Sequence, residues 1–226
     1  ATTFEQRNMY KKKKKGTKVD LSYNISNGRV KFFADGYLNH IADYITQITT
    51  FDENKLITTY VNVASDMKTG LDLSLNVDVT SWFNILLATN TYYVTSDGEY
   101  KGTAISNRGV TNNSNITLDF ITCKGMDIQC QYFVTTPQYF PQLTTALTHQ
   151  MNAGIKQRFV KVPITVSLLV TDVFNTARWE VSSFNNIFDL TNISRNKSRM
   201  LWLGISYNFN SPFPCARTII LRCGKN

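Results

Sequence analysis

The sequence predicts an all-β protein: an antiparallel, up-and-down β-barrel that crosses a membrane with its strands. Three observations carry this expectation. Apolar and polar residues alternate with period two along almost the whole chain, the connections alternate between short and long, and aromatic residues gather at both ends of the strands. No window carries a convincing 3.6-residue apolar stripe, and the long uncharged stretches are broken too often by Asn, Ser and Thr for a transmembrane helix.

Nine strands follow from the alternation, at about 16–24, 29–49, 57–79, 82–97, 110–123, 126–137, 143–159, 162–176 and 190–209. In the first, Val19, Leu21 and Tyr23 alternate with Asp20, Ser22 and Asn24. Short turns at Ile25 to Gly28 and Thr80-Ser81 bracket the second and third strands. In the third, Leu71, Leu73, Leu75, Val77 and Val79 alternate with Asp72, Ser74, Asn76 and Asp78. Ile116, Leu118 and Phe120 oppose Asn115, Thr117 and Asp119, and a turn at Lys124-Gly125 follows. Val162, Ile164, Val166, Leu168 and Val170 form the eighth row, after a turn near Val160-Lys161. Leu201, Leu203, Ile205, Tyr207 and Phe209 form the ninth. Longer connections fall at Phe51 to Leu56, Gly98 to Gly109, Pro137 to Leu143 and Thr176 to Asp189. Tyr23, Trp82, Phe83, Phe159, Tyr207 and Phe209 lie toward the short-turn ends. Tyr44, Tyr60, Tyr92, Tyr93, Tyr132, Tyr139 and Phe140 lie toward the other, as two interfacial belts would.

Composition agrees. A chain of 226 residues with 42% hydrophobic and 12% aromatic content is too apolar for disorder. Charged residues make up only 18%, below the usual ~25%. Asn, Ser and Thr occupy the polar positions instead, which suits a lumen wall. Asp72, Asn76, Asp78 and Asp119 are therefore expected to face the lumen, wet and not buried. The net charge of +8 rests heavily on Lys11 to Lys15, which reads as a solvated turn or tail with no accompanying nucleic-acid-binding signature. Cys123, Cys130, Cys215 and Cys223 lack metal-ligand spacing and read as small apolar residues. His40 and His149 stand in no catalytic motif, so neither an enzyme activity nor a cofactor or metal is expected.

The segment Asp172-Val173-Phe174-Asn175-Thr176-Ala177-Arg178-Trp179 resembles the "D-[IV]-F-N-T-x-[RK]-W" motif in the last hairpin of TonB-dependent receptors, most closely the outer-membrane β-barrel family common in Bacteroidetes. Ser198 to Asn210 is similar to that family's final strand, and Ile45 to Asn54 and Tyr60 to Ser74 to an earlier loop and strand. The resemblance implies the C-terminal portion, about nine strands, of a roughly 22-stranded barrel in the cell outer membrane. It divides the chain into a basic loop or linker (1–15), the barrel portion (16–210) and an atypical tail (211–226). It further implies a plug domain and a TonB complex as partners outside this chain, the surrounding outer-membrane lipid, and an unidentified ligand. Tyr207 and Phe209 would form the terminal-strand signal read by the barrel assembly machinery. Tyr92, Tyr100, Tyr139, Arg178 and Trp179 are candidate ligand contacts, with a girdle or loop-packing role as the alternative for each. The competing reading of the whole chain is a soluble β-rich ligand- or glycan-binding module.

Overall fold

The computed structural model describes residues 3–6, 15–52, 55–100, 102–122, 125–159, 162–184, 189–195 and 197–207. Those residues contain strands and no helix. Nine strands follow one another across one antiparallel sheet: β2 (Lys15–Asn27), β3 (Val30–Asp52), β4 (Lys55–Asp78), β5 (Phe83–Tyr100), β6 (Thr103–Ile121), β7 (Met126–Thr135), β10 (Thr148–Arg158), β11 (Ile164–Thr171) and β14 (Met200–Tyr207). Each pairs with its predecessor in this order, so the sheet is an up-and-down meander. It is open among the described residues, with β2 and β14 at its edges.

The register shows why the alternation took the form it did. Leu21, Gly36, Leu71 and Thr91 stand opposite one another across β2 to β5, and Ile25, Phe32, Leu75, Leu87, Ile116 and Tyr132 continue the same face to β7. Met151, Ala153 and Ile155 carry it onto β10, then Val166, Leu168 and Val170 onto β11 and Leu201, Leu203 and Ile205 onto β14. This face is apolar and exposed: Leu21 is 82% accessible, Leu203 68% and Ile205 71%. Among the described residues the buried large apolar side chains are few: Ile48, Val61, Val94 and Ile105, with Pro141 also buried. A water-soluble fold buries such a face, because each large apolar side chain left in water forgoes roughly 1.5–3 kcal/mol. Hydrocarbon is the solvent that makes this surface stable, and the soluble-module alternative fails on it.

Aromatic packing marks the short-turn end. Phe83 and Phe120 stack with centroids 4.6 Å apart, and Trp82 lies over both at 6.0 and 6.4 Å. Gly28, at φ 53°, makes the two-residue turn between β2 and β3, and Gly125, at φ 75°, serves the turn before β7.

The opposite end departs from expectation. Phe51 to Leu56 and Gly98 to Gly109 are not loops, since β3 and β4 continue in register to Asp52↔Lys55, and β5 and β6 to Tyr100↔Thr103. These strands of 18 to 24 residues exceed the ~9–11 that span a bilayer, so their outer halves project as hairpins beyond it. A bulge between Ile41 and Tyr44, with Asp43 at φ 55°, falls within the longest pair. Past it, Ile48, Val61 and Ile105 form a small core against which Tyr100 packs.

The other two connections are also structured. β8 (Tyr139–Phe140), β9 (Leu143–Thr145), β12 (Trp179–Phe184) and β13 (Asp189–Ser194) form a second sheet, in the order β13-β12-β9-β8. The expected strand 190–209 is thus two strands, β13 and β14. The expected 143–159 is β9 and β10, and the expected 162–176 stops at Thr171. Period two alone cannot show where a chain leaves one sheet for another. Within the basic N-terminal segment, Thr3–Gln6 (β1) pairs parallel with Leu56–Thr59, where β4 extends past its last partner in β5, Ala64↔Gly98. An unpaired edge accepts any extended segment within reach. Lys11 to Lys14, Cys123, Phe209 and the 211–226 tail lie outside the described residues, and Cys130 carries a free thiol on the apolar face.

The facing assignment has a direct test. Leu73→Arg, near the middle of the apolar band, should destabilise the folded barrel by about 2–4 kcal/mol, and Ser74→Arg, on the opposite face, by well under half of that. Denaturant titration of the two variants in lipid vesicles measures the difference.

Candidate functional site

The second face of the sheet is the polar one. Asp72, Asn76 and Asp78 of β4 and Asp119 of β6 lie on it, since each pairs within the row opposite in parity to the apolar residues. Side-chain amides hold them. Asn84 Nδ2 donates to Asn76 Oδ1 at 2.6 Å and to Asp78 Oδ1 at 2.8 Å, and Gln129 Nε2 donates to Asp119 Oδ1 at 2.7 Å. Asn90 Nδ2 donates to both Asp72 and the Tyr37 hydroxyl. At the inner end Arg158 grips Asp127 through both carboxylate oxygens, at 3.0 and 2.9 Å. Each carboxylate thus has a fixed orientation and, with two oxygens, further acceptor capacity toward the lumen.

Higher on the same face, cationic and aromatic groups interleave. Lys68 Nζ lies 5.6 Å from the Tyr92 ring centroid and 3.5 Å from Asp66, and Lys18 Nζ lies 5.9 Å from the Tyr37 ring and 3.0 Å from Asp20. Asp66, 3% exposed, also accepts from Ser96 Oγ at 2.6 Å. Gly70 makes room for the two rings: a Cβ there would meet Tyr37 Cζ at 2.6 Å and Tyr92 Cβ at 2.7 Å. Beside this cluster is a hollow of about 440 Å³, lined by Phe33, Asp72, Asn90, Asn113, Asn115 and Phe133. Asn115 Oδ1 is buried without a donor among the described residues. A second hollow, about 620 Å³, lies nearer the inner end between Asp78, Asp119, Asp127 and Lys156. Hydrogen-bond acceptors, two ammoniums and aromatic faces can bind a polar or aromatic solute. Among the described residues no group of His, Cys, Asp and Glu is placed to hold a metal.

The candidate ligand contacts separate in space. Tyr92 is a lumen-wall residue beneath Lys68, not part of an outer girdle. Tyr100 packs on the Ile48 core. Tyr139 lies on Gly109, where a Cβ would meet its ring at 2.2 Å, so it fixes the second sheet to β6. Tyr93 and Tyr132 remain on the apolar face as the outer belt. Arg178 and Trp179 are exposed at the outer rim, Arg178 3.7 Å from Glu180. Lys18, Tyr37, Lys68 and Gly70 escaped the sequence reading, although parity with Asp20 and Asp72 places them on the same wall.

The Asp172–Trp179 motif is a structural latch. Asp172 is fully buried at φ 45° in the turn just beyond β11. Its Oδ1 accepts from the Thr176 amide at 2.9 Å, and its Oδ2 from the Ala177 amide at 3.0 Å and the Ser198 hydroxyl at 2.5 Å. Its own amide donates to Asn152 Oδ1 at 3.0 Å, the Val173 amide to Met151 O at 2.8 Å and the Thr176 hydroxyl to His149 O at 2.8 Å. Asn175, at φ 54°, donates its amide back to Asp172 O at 2.8 Å. One carboxylate therefore ties the end of β11 to the entries of β12 and β14, while the backbone around it holds β10. Phe174, 60% exposed, takes no part. Tyr207 ends β14 on the apolar face, opposite Ile164.

Burial pushes the Asp172 pKa up, but the Ser198 hydroxyl and the Thr176 and Ala177 donors outweigh it, so the group sits below the ordinary carboxylate value. Asp172→Asn turns one acceptor into a donor facing donors and should cost about 2–3 kcal/mol at neutral pH. A depressed folded pKa contributes stability that is complete above about pH 4 and is lost as the pH falls through the folded value. Unfolding of the two proteins measured against pH should therefore converge in acid.

Residues 14–207 match the model of the outer membrane protein beta-barrel family. No curated protein matches the chain. Among solved structures, the chain is similar to the ferric yersiniabactin uptake receptor FyuA from Yersinia pestis, with a TM-score of 0.55 at 16% identity over 85% of this chain. The alignment covers 29% of that receptor, so this chain spans under a third of its length. The likeness is one of fold: the nine meandering strands, apolar on one face and polar on the other, correspond to part of that structure. The chain belongs to the outer membrane protein beta-barrel family and is a protein of the cell outer membrane.

Proposed function

We propose that this chain is the wall of a TonB-dependent uptake receptor, through whose lumen a polar ligand passes. The observation that carries the reading is the ordered polar face of an inside-out sheet, where the linked chain Lys18–Tyr37–Asn90–Asp72 and the Lys68–Tyr92 cation–π pair meet over Gly70. A purely structural barrel needs no interleaved ammoniums and rings at that level. The family motif at Asp172 and the likeness to a ferric siderophore uptake receptor support the same reading. In it, further strands complete the barrel against the free edges of β2 and β14, since unpaired backbone groups in hydrocarbon cost several kcal/mol each. A plug domain fills the lumen, the TonB complex supplies energy, and the barrel assembly machinery reads the end of the last strand.

Uptake by intact cells tests this. Cells carrying the gene should deplete at least one small solute from a defined medium, as followed by mass spectrometry of the supernatant. Deletion of the gene, or a protonophore that collapses the energy supply, should abolish that depletion. Lys68→Ala with Tyr92→Ala should slow it at least several-fold, with folded protein retained in the outer membrane. Identical depletion profiles with and without the gene would refute the proposal.

A further inference from the structure

Away from the lumen, the outer rim carries a hollow of about 410 Å³ lined by Leu147, His149, Thr176, Arg178 and Arg195. One of its walls, His149, is on the membrane side of the sheet. His149 shares the parity of Met151, Ala153 and Ile155, which belong to the apolar face. It stands nine residues from Arg158, the inner end of β10. At ~3.4 Å per residue and a tilt of ~40°, that distance is roughly 23 Å along the membrane normal, close to the upper edge of a ~25 Å apolar band. His149 Nδ1 lies 3.2 Å from the hydroxyl of Tyr132, a ring of the outer belt. The hollow is therefore at the lipid–water boundary.

Two guanidiniums line it, while the nearby carboxylates are otherwise engaged: Asp172 is buried and saturated by the donors of its own turn. Arg178 and Arg195 are both exposed. Glu180, half-buried and 3.7 Å from the exposed Arg178, makes a long pair that leaves most of the guanidinium's donors unused. Arg195 has no carboxylate partner among the described residues. Guanidinium donors in a fixed fork match phosphate oxygens. Toward the membrane interior the surface continues as Met151, Val170 and Leu201, the last 69% exposed. A cationic hollow directly above a lipid-facing apolar strip has the shape and polarity of a lipid: headgroup above, acyl chain below.

We propose that this hollow binds the phosphate of an anionic lipid of the outer leaflet, with Arg178 and Arg195 on the headgroup and an acyl chain along Met151, Val170 and Leu201. Free phosphate shares the headgroup chemistry but has no use for the apolar strip.

Native mass spectrometry separates the two. The protein is extracted from its membrane as expressed, delipidated in mild detergent, and offered dioleoyl phosphatidic acid, dioleoylglycerol or inorganic phosphate. The expected result is a phosphatidic acid adduct that dioleoylglycerol does not form and that millimolar inorganic phosphate does not displace. Arg178→Gln with Arg195→Gln should weaken the adduct about tenfold or more, and the corresponding Lys pair, which keeps the charge but not the fork, should fall between the two. The heat-dependent electrophoretic shift of a folded barrel confirms that each variant is folded. Should the double variant not fold, Arg195→Gln alone, which removes no described hydrogen bond, should still weaken the adduct measurably. Unchanged adducts in the folded Gln variants, equal binding of dioleoylglycerol, or displacement by inorganic phosphate would each overturn the proposal.

Discussion

Hydrocarbon offers no hydrogen-bond partner to a backbone amide, and the rest of this structure follows from that constraint. A spanning segment must pair every N–H and C=O within the protein, which leaves the helix and the closed sheet. A chain with no 3.6-residue stripe is committed to the sheet. Consecutive strands joined by tight turns at Gly28 and Gly125 then give the meander, the topology with the shortest connections. Once the sheet is set between lipid and lumen, the pleat sends alternate side chains to opposite solvents. The two rows Leu71-Leu73-Leu75 and Asp72-Ser74-Asn76 are one structural fact seen from its two sides.

The outer end obeys a different rule, because water is available there. Strands longer than the bilayer continue as hairpins, and their backbone groups could be solvated. Instead they gather a small conventional core around Ile48, Val61 and Ile105, and Gln142 of the second sheet accepts the Thr49 amide at 3.0 Å. Asn107 Nδ2 donates to Phe140 O at 2.9 Å and to Thr144 Oγ1 at 3.1 Å, so the second sheet is seated on β6. Asp172 sits where the two regimes meet. A buried carboxylate there is satisfied by donors that its own turn presents, an arrangement that only this local backbone, with φ positive at both Asp172 and Asn175, can supply.

What the sequence disclosed, and what it withheld, divide along the same boundary. Between the inner turns and the middle of the sheet, one solvent faces each side, so period two reports facing directly. The nine strands of the meander, the turn glycines and the shared polar face of Asp72 and Asp119 were legible there. Above it, both faces of a hairpin see water or protein, and alternation no longer reports where a strand ends. That is why Gly98 to Gly109 read as a loop, and why residues 190–209 read as one strand when the chain changes sheets between Ser194 and Met200. The tyrosines misled for a related reason. Ring position along the axis is readable from strand length, but facing is not when the strand has passed a bulge or its neighbour is a glycine, as for Tyr139 on Gly109.

The distinction bears on how such a barrel wall acquires a function. The lipid face is constrained at every position by one transfer energy, and a new side chain there must be apolar. The outer hairpins are constrained by packing, through Gly109, Gln142 and the Asp172 latch. The lumen wall is constrained least, since water or another part of the protein satisfies whatever it presents. Yet here it is where the side chains are most specifically arranged: Gly70 left without a Cβ so that Tyr37 and Tyr92 fit, and each ring capped by a lysine. Order on a surface that stability does not require to be ordered is an argument for binding. In the receptor proposed above, ligand recognition would fall on the wall near Gly70, with the outer hairpins serving as the frame that holds it.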